Sequence, residues 1–91
     1  MKAMWNGVVI ADSDDTVVLD GDHYFPADSV KREYLVSSNH RSSSWKGQAV
    51  YQSLLVNGDL HPEAAWSYPE PAEAAGAIKG RIAFGKGVQV V

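Results

Sequence analysis

The sequence predicts a mainly β fold, a small curled antiparallel sheet of about eight short strands with one or two short helical turns. Three observations lead to this prediction. Runs rich in β-branched and aromatic residues recur along the chain, Asn-Gly and Gly-Asp pairs separate several of them, and the turns are regularly spaced. At 91 residues the chain has room for one hydrophobic core, so we expect a single domain over residues 1–91.

The first strands follow from local turn chemistry. "KAMW" and "VVIA" flank Asn6-Gly7, a pair that tolerates the positive φ angles of a tight hairpin. After "DSDD", "TVVLD" predicts a strand that Gly21-Asp22 turns into "HYF". Pro26 ends this strand because proline has no backbone N–H. Alternation predicts Tyr24 and Phe25 on opposite faces, one in the core and one more exposed.

The middle of the chain predicts a short helix and then a polar loop. In residues 26–35, Pro26 suits a helix start, Asp28 complements the helix dipole, and three apolar residues could share one face. We expect one or two helical turns there. The segment "SSNHRSSSWKG", residues 37–47, contains nothing typical of a core and is predicted as a loop.

The second half predicts another hairpin, a helical turn and a closing pair of strands. "QAVYQSLLV" and "DLHPEAAWSY" flank Asn57-Gly58, and Pro62 should delay the return strand until about Ala64. "PEPAEAAGAIKG" offers an alanine-rich turn. "RIAF" and "VQVV" are expected to pair across residues 85–87.

Composition limits the classes of partner. The net charge of −3 argues against a nucleic-acid partner, which usually demands a basic excess. The absence of cysteine excludes disulfides, thiolate catalysis and zinc–cysteine sites. No run approaches the ~18 apolar residues of a membrane span, and the start has no apolar signal-peptide core, so we expect no membrane partner and a cytoplasmic location. The sequence leaves open whether the protein is a monomer or a homodimer.

Residues 37–47 are the strongest candidate for a binding site. The three serines at 42–44 could present backbone N–H groups to an anion, with Arg41 as a bidentate clamp and Lys46 as a second cation. A simple polar connector is the alternative, because surface loops are polar in any case. The predicted ligand-binding residues are Tyr24, Ser37, His40, Arg41, Ser43, Trp45, Lys46, Trp66 and Tyr68.

The aromatic residues shape the expected ligand. Trp66 and Tyr68 lie two residues apart and share a face if the segment is a strand, where they could stack on a ligand or pack in the core. Aromatic rings beside a cation, in a protein without net positive charge, suit a small planar anion better than a nucleic-acid strand. We therefore expect a small anionic or aromatic ligand in a pocket lined by residues 37–47.

The sequence predicts no metal and no cofactor. His23, His40 and His61 are far apart and form no helical pair, and "DSDD" lacks the glycine and glutamate of a calcium loop. Catalysis has weak support, since no G-x-S-x-G motif is present. The candidate catalytic residues are His40 as base and Lys46 as electrostatic stabiliser, with Asp20, Asp22 or Glu33 as a carboxylate that could orient the histidine.

Five motifs in order carry a family resemblance that covers nearly the whole chain: "WNGVVIADSDDTVVLDGDHYFP", "SVKREYL", "WKGQAVY", "AAWSYPEP" and "IKGRIAF". The sequence resembles the family catalogued as domain of unknown function 427, DUF427. The resemblance implies a small β-rich, tent-like fold similar to Mss4, and the family also carries a nucleotidyltransferase-like label. The positions that match the family pattern are Asn6, Gly7, Tyr24, Phe25, Pro26, Val30, Ser37, His40, Trp45, Lys46, Gly47, Tyr51, Trp66, Tyr68 and Pro69.

The chain departs from the family pattern near the candidate site. Relatives usually carry threonines and then Cys-Pro before the aromatic-Lys-Gly motif, where this chain has Ser43 and Ser44, with Arg41 at a common threonine position. A serine is a far weaker nucleophile than a cysteine unless a base lies beside it. Asp20 stands where relatives tend to have glutamate, so its reach is shorter.

Three function classes remain open after the sequence. The first is a module that binds a small ligand. The second is a structural or protein-interaction domain without catalysis. The third is a transferase- or hydrolase-type enzyme that uses His40 and Lys46.

Overall fold

A computed structural model describes all residues, 1–91, and contains nine strands in three antiparallel sheets. The strands are β1 (Lys2–Trp5), β2 (Val8–Asp12), β3 (Val17–Leu19), β4 (Asp22–Tyr24), β5 (Leu35–Ser44), β6 (Gly47–Val56), β7 (Asp59–Ser67), β8 (Ile82–Phe84) and β9 (Gln89–Val90). The sheet orders are β2-β1-β9, β3-β4 and β5-β6-β7-β8. Helical structure is confined to short 3₁₀ turns at Ala27–Ser29, Arg32–Tyr34 and Glu73–Ile78. The prediction of a mainly β fold is confirmed.

Three two-residue hairpins follow from residues that tolerate positive φ. Asn6-Gly7 joins β1 to β2, Asp20-Gly21 joins β3 to β4, and Asn57-Gly58 joins β6 to β7. Both residues of each pair have positive φ, from +51° at Asp20 to +84° at Gly58. This is the type I′ geometry, whose twist matches that of the flanking strands.

The prediction of a loop at residues 37–47 is wrong, because most of this segment is a strand. β5 continues to Ser44, and only Trp45 and Lys46 form the turn to β6. β5 is the outer strand of its sheet, so most of its side chains are exposed and serine is tolerated at nearly every position. The strand therefore lacks the alternation between apolar and polar residues that identifies a strand in a sequence.

Two further expectations about the strands are wrong. Pro62 does not delay the return strand, since β7 starts at Asp59 and runs through Pro62. The ladder is interrupted there by a bulge opposite Ser53, where Glu63 takes a φ of +53°. A bulge leaves a residue outside the ladder, so proline costs no hydrogen bond there. The last two strands do not pair with each other, since β8 pairs with β7 and β9 pairs with β1.

Two apolar clusters lie on either side of the chain at Tyr24 and Phe25. Phe25 packs with residues such as Ile10, Leu54 and Phe84, whereas Tyr24 packs in a smaller cluster with Tyr68, Ile78 and others. The prediction that Tyr24 and Phe25 point to opposite faces is confirmed. The prediction that one is more exposed is wrong, because both are fully buried in this two-sided arrangement. No helix is long and apolar enough to span a bilayer.

Candidate functional site

The predicted ligand-binding residues divide between the two faces of the four-stranded sheet. Three of them lie on β5 and pair with residues of β6: Ser37 with Gln52, Arg41 with Val50, and Ser43 with Gln48. Tyr51 lies between Gln52 and Val50 and pairs with Trp66. Because side chains alternate between faces along a strand, the first three residues lie on the face opposite Tyr51 and Trp66.

The other six predicted residues meet on the face that carries Tyr51. A row of rings, which we call the aromatic row, runs across this face and consists of His40, Tyr51, Trp66, Tyr24 and Tyr68. Ring centroids are 4.6 Å apart for His40 and Tyr51, and 6.0 Å apart for Tyr51 and Trp66. The Trp66 indole Nε1–H donates to the Tyr24 hydroxyl at 3.3 Å, and the Tyr24 ring lies 6.4 Å from the Tyr68 ring.

Lys46 and Trp45 close one end of the aromatic row. The ammonium nitrogen of Lys46 lies 5.9 Å from the Tyr68 ring centroid and 5.3 Å from that of Trp45. The same ammonium donates to Asp20 Oδ2 at 3.0 Å, and the Trp45 indole N–H donates to the same oxygen at 3.2 Å. The Lys46 side chain is only 13% exposed, whereas Asp20 is 51% exposed. Two donors from adjacent residues thus converge on one carboxylate oxygen.

The turn between β5 and β6 positions these donors. The Lys46 backbone N–H donates to the Ser44 hydroxyl at 3.2 Å, and the Lys46 carbonyl accepts from the Ala72 N–H at 2.8 Å. Gly47 follows with a φ of +121°, a backbone conformation that residues with a side chain rarely adopt. Asp20 comes from the β3–β4 turn. The site is therefore the meeting point of two hairpin tips.

The electrostatics of the chain are most perturbed at this meeting point. The Lys46 ammonium and then the Trp45 N–H lower the pKa of Asp20 by hydrogen bonding, and the Asp20 carboxylate in turn raises the pKa of Lys46. Burial raises the pKa of Asp22 and of Tyr24. The four groups whose pKa values shift clearly thus lie together, an arrangement common at functional sites.

Arg41, predicted as an anion clamp, is engaged with its own strand in this structure. Its Nη1 donates to the carbonyls of Ser38 at 2.9 Å and His40 at 2.8 Å. The His40 backbone N–H donates to the Ser38 hydroxyl at 3.1 Å. These bonds satisfy the backbone of a bulge between Ser37 and Arg41 on the outer strand of the sheet.

The candidate catalytic residues do not form an acid–base pair. The His40 ring packs against Tyr51 and forms no hydrogen bond with a carboxylate or a hydroxyl group. Asp20 contacts Lys46 and Trp45 instead of the histidine. No group of three or more histidine, aspartate or glutamate side chains is arranged to hold a metal ion.

The site includes two residues that were absent from the predicted ligand-binding set, Tyr51 and Asp22, of which Asp22 was considered only as a carboxylate that could orient His40. Tyr51 belongs to the family pattern, but its place in the row depends on the pairing of β6 with β7, which the sequence does not specify. Asp22 lies two residues beyond Asp20 in the same hairpin, so its position follows only once that hairpin is known to contact Lys46.

The depressions on the surface are lined by residues outside 37–47, so a pocket lined by this segment stays a prediction. The surface has three depressions of about 300, 230 and 220 Å³, and none of them is lined by a residue of this segment or of the aromatic row. The reason is that β5 lies flat in the sheet and Lys46 fills the space between the two hairpin tips. The aromatic row is therefore a shallow surface.

Comparison with known proteins agrees with the motifs. The family described as "Domain of unknown function (DUF427)" matches residues 1–91, the full length of the chain. No curated protein matches the sequence. The chain belongs to the DUF427 family.

Proposed function

We propose that this protein binds a small ligand that combines an aromatic ring with an anionic group. The anionic group contacts the Lys46 ammonium and the Trp45 indole N–H, and the ring lies along the exposed part of the aromatic row. One observation carries the proposal, the convergence of these two donors on a single oxygen of Asp20. Asp20 occupies the place that a ligand carboxylate or phosphate oxygen would take.

Such a ligand can displace the Asp20 carboxylate from Lys46. Its carboxylate is half exposed, so it regains hydration when it leaves Lys46, and it sits on a two-residue turn. Lys46 is held by the Trp45 and Tyr68 rings as well as by Asp20, so it keeps its position when Asp20 moves. An ammonium group has three donors, and Asp20 takes only one of them.

The ring-binding surface is supported by exposure along the aromatic row. Tyr51 and Trp66 are half-buried and His40 is exposed, so one side of these rings faces solvent. The His40 and Tyr51 rings meet at an interplanar angle of 62°, which forms a corner between a wall and a floor. A planar ligand that lies in this corner gains offset or edge-to-face contacts.

The two other function classes have weaker support. For a protein-interaction domain, the sheet offers one patch of exposed apolar neighbours, formed by Val36, Leu55 and Leu60. A stable interface uses ~20–30 residues per partner, so this patch is too small to support one. Arg41 blocks the free edge of β5 at the bulge. The family's short name indicates a nucleoside triphosphate transferase, yet His40 lacks the partners that general-base catalysis uses.

A thermal-shift comparison tests the proposal. The probes are benzoate, which carries both features, acetate, which has only the charge, benzyl alcohol, which has only the ring, and adenosine monophosphate, which replaces carboxylate with phosphate. A ligand at 100 times its Kd stabilises the fold by about 2.7 kcal/mol, several degrees for a domain of this size. We expect a shift with benzoate or adenosine monophosphate and none with acetate or benzyl alcohol.

Three variants separate the roles of the site. Lys46→Met keeps the aliphatic stem against the rings and removes the ammonium, so binding should be lost. Asp20→Asn removes the competing carboxylate and should tighten binding by about tenfold. Lys31→Ala is the matched control, because Lys31 is an exposed lysine outside the site. The proposal fails if no probe stabilises wild type, or if Lys46→Met binds as well as wild type.

A further inference from the structure

The largest depression on the molecule lies apart from the aromatic row. It has a volume of about 300 Å³ and is lined by Met4, Trp5, Asn6, Gly7, Gly87 and Gln89. These residues come from the end of β1, its turn to β2, and the segment that leads into β9. Met4 and Gln89 are paired across the sheet, so the depression spans the β1–β9 junction.

The one aromatic residue in the lining of this depression, Trp5, packs against a ring outside the lining. The Trp5 ring lies 5.2 Å from the His61 ring at an angle of 39°. The His61 Nε2 atom is 2.7 Å from the Lys86 carbonyl oxygen, which fixes the imidazole. A Cβ at Gly87 would make a tight contact of 3.0 Å with His61 Nε2, and the φ of +95° at this position also favours glycine. These contacts restrain the Trp5 side chain, and restraint before binding lowers the entropic cost of ordering it around a ligand.

The rim of the depression is also anchored. The Asn6 side-chain amide donates to the Val56 carbonyl at 3.2 Å and to Asp59 Oδ2 at 2.9 Å. These bonds fix the β1–β2 turn against the β6–β7 turn. The glycine at position 7 carries no side chain that would fill the opening, and a Cβ there would have no neighbour within 4 Å.

The lining contains unused hydrogen-bonding groups and no charge. None of its six residues is ionisable. The indole N–H groups of Trp45 and Trp66 are bonded within the protein, whereas that of Trp5 has no such partner. The exposed Gln89 side-chain amide, with donors and an acceptor, also has none.

We propose that this depression is a second binding site, for an uncharged sugar ring. The apolar C–H face of a sugar ring packs on one side of an indole, and its hydroxyl groups exchange hydrogen bonds with the Trp5 N–H and the Gln89 amide. An uncharged lining disfavours ionic ligands, because nothing in it compensates the loss of their hydration. A volume of about 300 Å³ is enough for a single sugar ring.

The test is a titration followed by nuclear magnetic resonance of the amide and indole N–H groups. Glucose, galactose and N-acetylglucosamine are the sugar probes, glucuronate is the charged comparison with the same ring, and uracil is the planar uncharged comparison without a sugar. We expect at least one sugar to cause saturable shifts of the Trp5 indole and the Gly7, Gly87 and Gln89 amides, with no change at the Trp45 indole. Glucuronate and uracil should leave these signals unchanged.

Two variants confirm the location. Gln89→Leu changes an exposed side chain, so the fold should persist while sugar affinity falls about fivefold, the effect of one lost hydrogen bond. Gln48→Leu changes a matched exposed glutamine on β6 and should bind as wild type does. The inference is overturned if no sugar shifts the Trp5 signal, if glucuronate or uracil binds as tightly as the sugars, or if Gln89→Leu leaves the affinity unchanged.

Discussion

The Lys46 ammonium lies 3.0 Å from the Asp20 carboxylate, although 26 residues separate the two in sequence. This contact joins the tips of the β3–β4 and β5–β6 hairpins, and the Trp45 indole N–H reinforces it on the same oxygen. Since the Lys46 ammonium also lies over the Tyr68 ring, the contact marks one end of the aromatic row. The contribution of this contact to stability and its role in ligand binding can be measured separately.

Acid should weaken the fold partly through Asp20. Hydrogen bonds from Lys46 and then from Trp45 depress the pKa of Asp20 in the folded state. The contribution of a depressed carboxylate to stability is complete above its unfolded pKa, about 3.9, and is lost as pH falls through the lower folded value. Asp20→Asn should therefore lose less stability than wild type between about pH 5 and pH 2.

Urea denaturation at a series of pH values measures this difference. Asparagine tolerates the positive φ of position 20, so the turn should persist in the variant. Asp14→Asn serves as the control, because Asp14 is an exposed aspartate without an ion pair. Parallel pH profiles for wild type and Asp20→Asn would contradict the assignment.

Tyr24→Phe should destabilise the fold by about 1 kcal/mol. The Tyr24 hydroxyl accepts the only hydrogen bond of the Trp66 indole N–H, and the variant leaves that partly buried donor without a partner. Tyr51→Phe is the matched control, because the Tyr51 hydroxyl has no hydrogen-bond partner in the protein. Equal unfolding midpoints in urea for the two variants would show that the Trp66–Tyr24 bond contributes nothing.

Gly47→Ala should destabilise the fold by about 1–2 kcal/mol, because a side chain is strained at a φ of +121°. The new Cβ would also lie 3.1 Å from the Glu70 carbonyl oxygen. Gly76→Ala is the control, since a Cβ there meets nothing within 4 Å and φ is not positive. Thermal denaturation should show a lower Tm for Gly47→Ala only, and equal Tm values would contradict the role given to Gly47.

Arg41→Ala should increase self-association. The variant exposes the carbonyls of Ser38 and His40 on a free strand edge, and such edges pair with one another. Sedimentation velocity over a range of protein concentrations measures the effect. Arg32→Ala removes an exposed arginine that has no hydrogen bond and should sediment as wild type does. If both variants sediment as wild type does, Arg41 does not protect the edge.

The hairpins could be predicted because their turns depend on local chemistry. Asn6-Gly7 and Asn57-Gly58 each adopt positive φ at both residues, as such pairs do in many hairpins. β5 could not be recognised, because an edge strand with most side chains in solvent lacks the apolar alternation that marks a strand. The pairing of β9 with β1 joins the two ends of the chain, and no short-range pattern encodes it.

The candidate site was predictable in its residue types and not in its arrangement. Lys46, Trp45 and the aromatic residues were recognised as an unusual set of side chains. The separation of Arg41 from them follows from the pleat of β5 and from its bulge, which shifts the register between Ser37 and Arg41. The partner of Lys46 depends on how two hairpin tips meet in space, and sequence spacing carries no such information.

The central claim is that Trp45 and Lys46 bind the anionic group of an aromatic ligand. The most direct measurement is a resonance-by-resonance titration of wild type with the probe that gives the largest thermal shift. We predict saturable changes at the Trp45 and Trp66 indole N–H groups and at the Lys46 amide, with none at the Trp5 indole. Binding that shifts other residues and leaves these three signals in place, or no saturable shift with any probe, would contradict the claim.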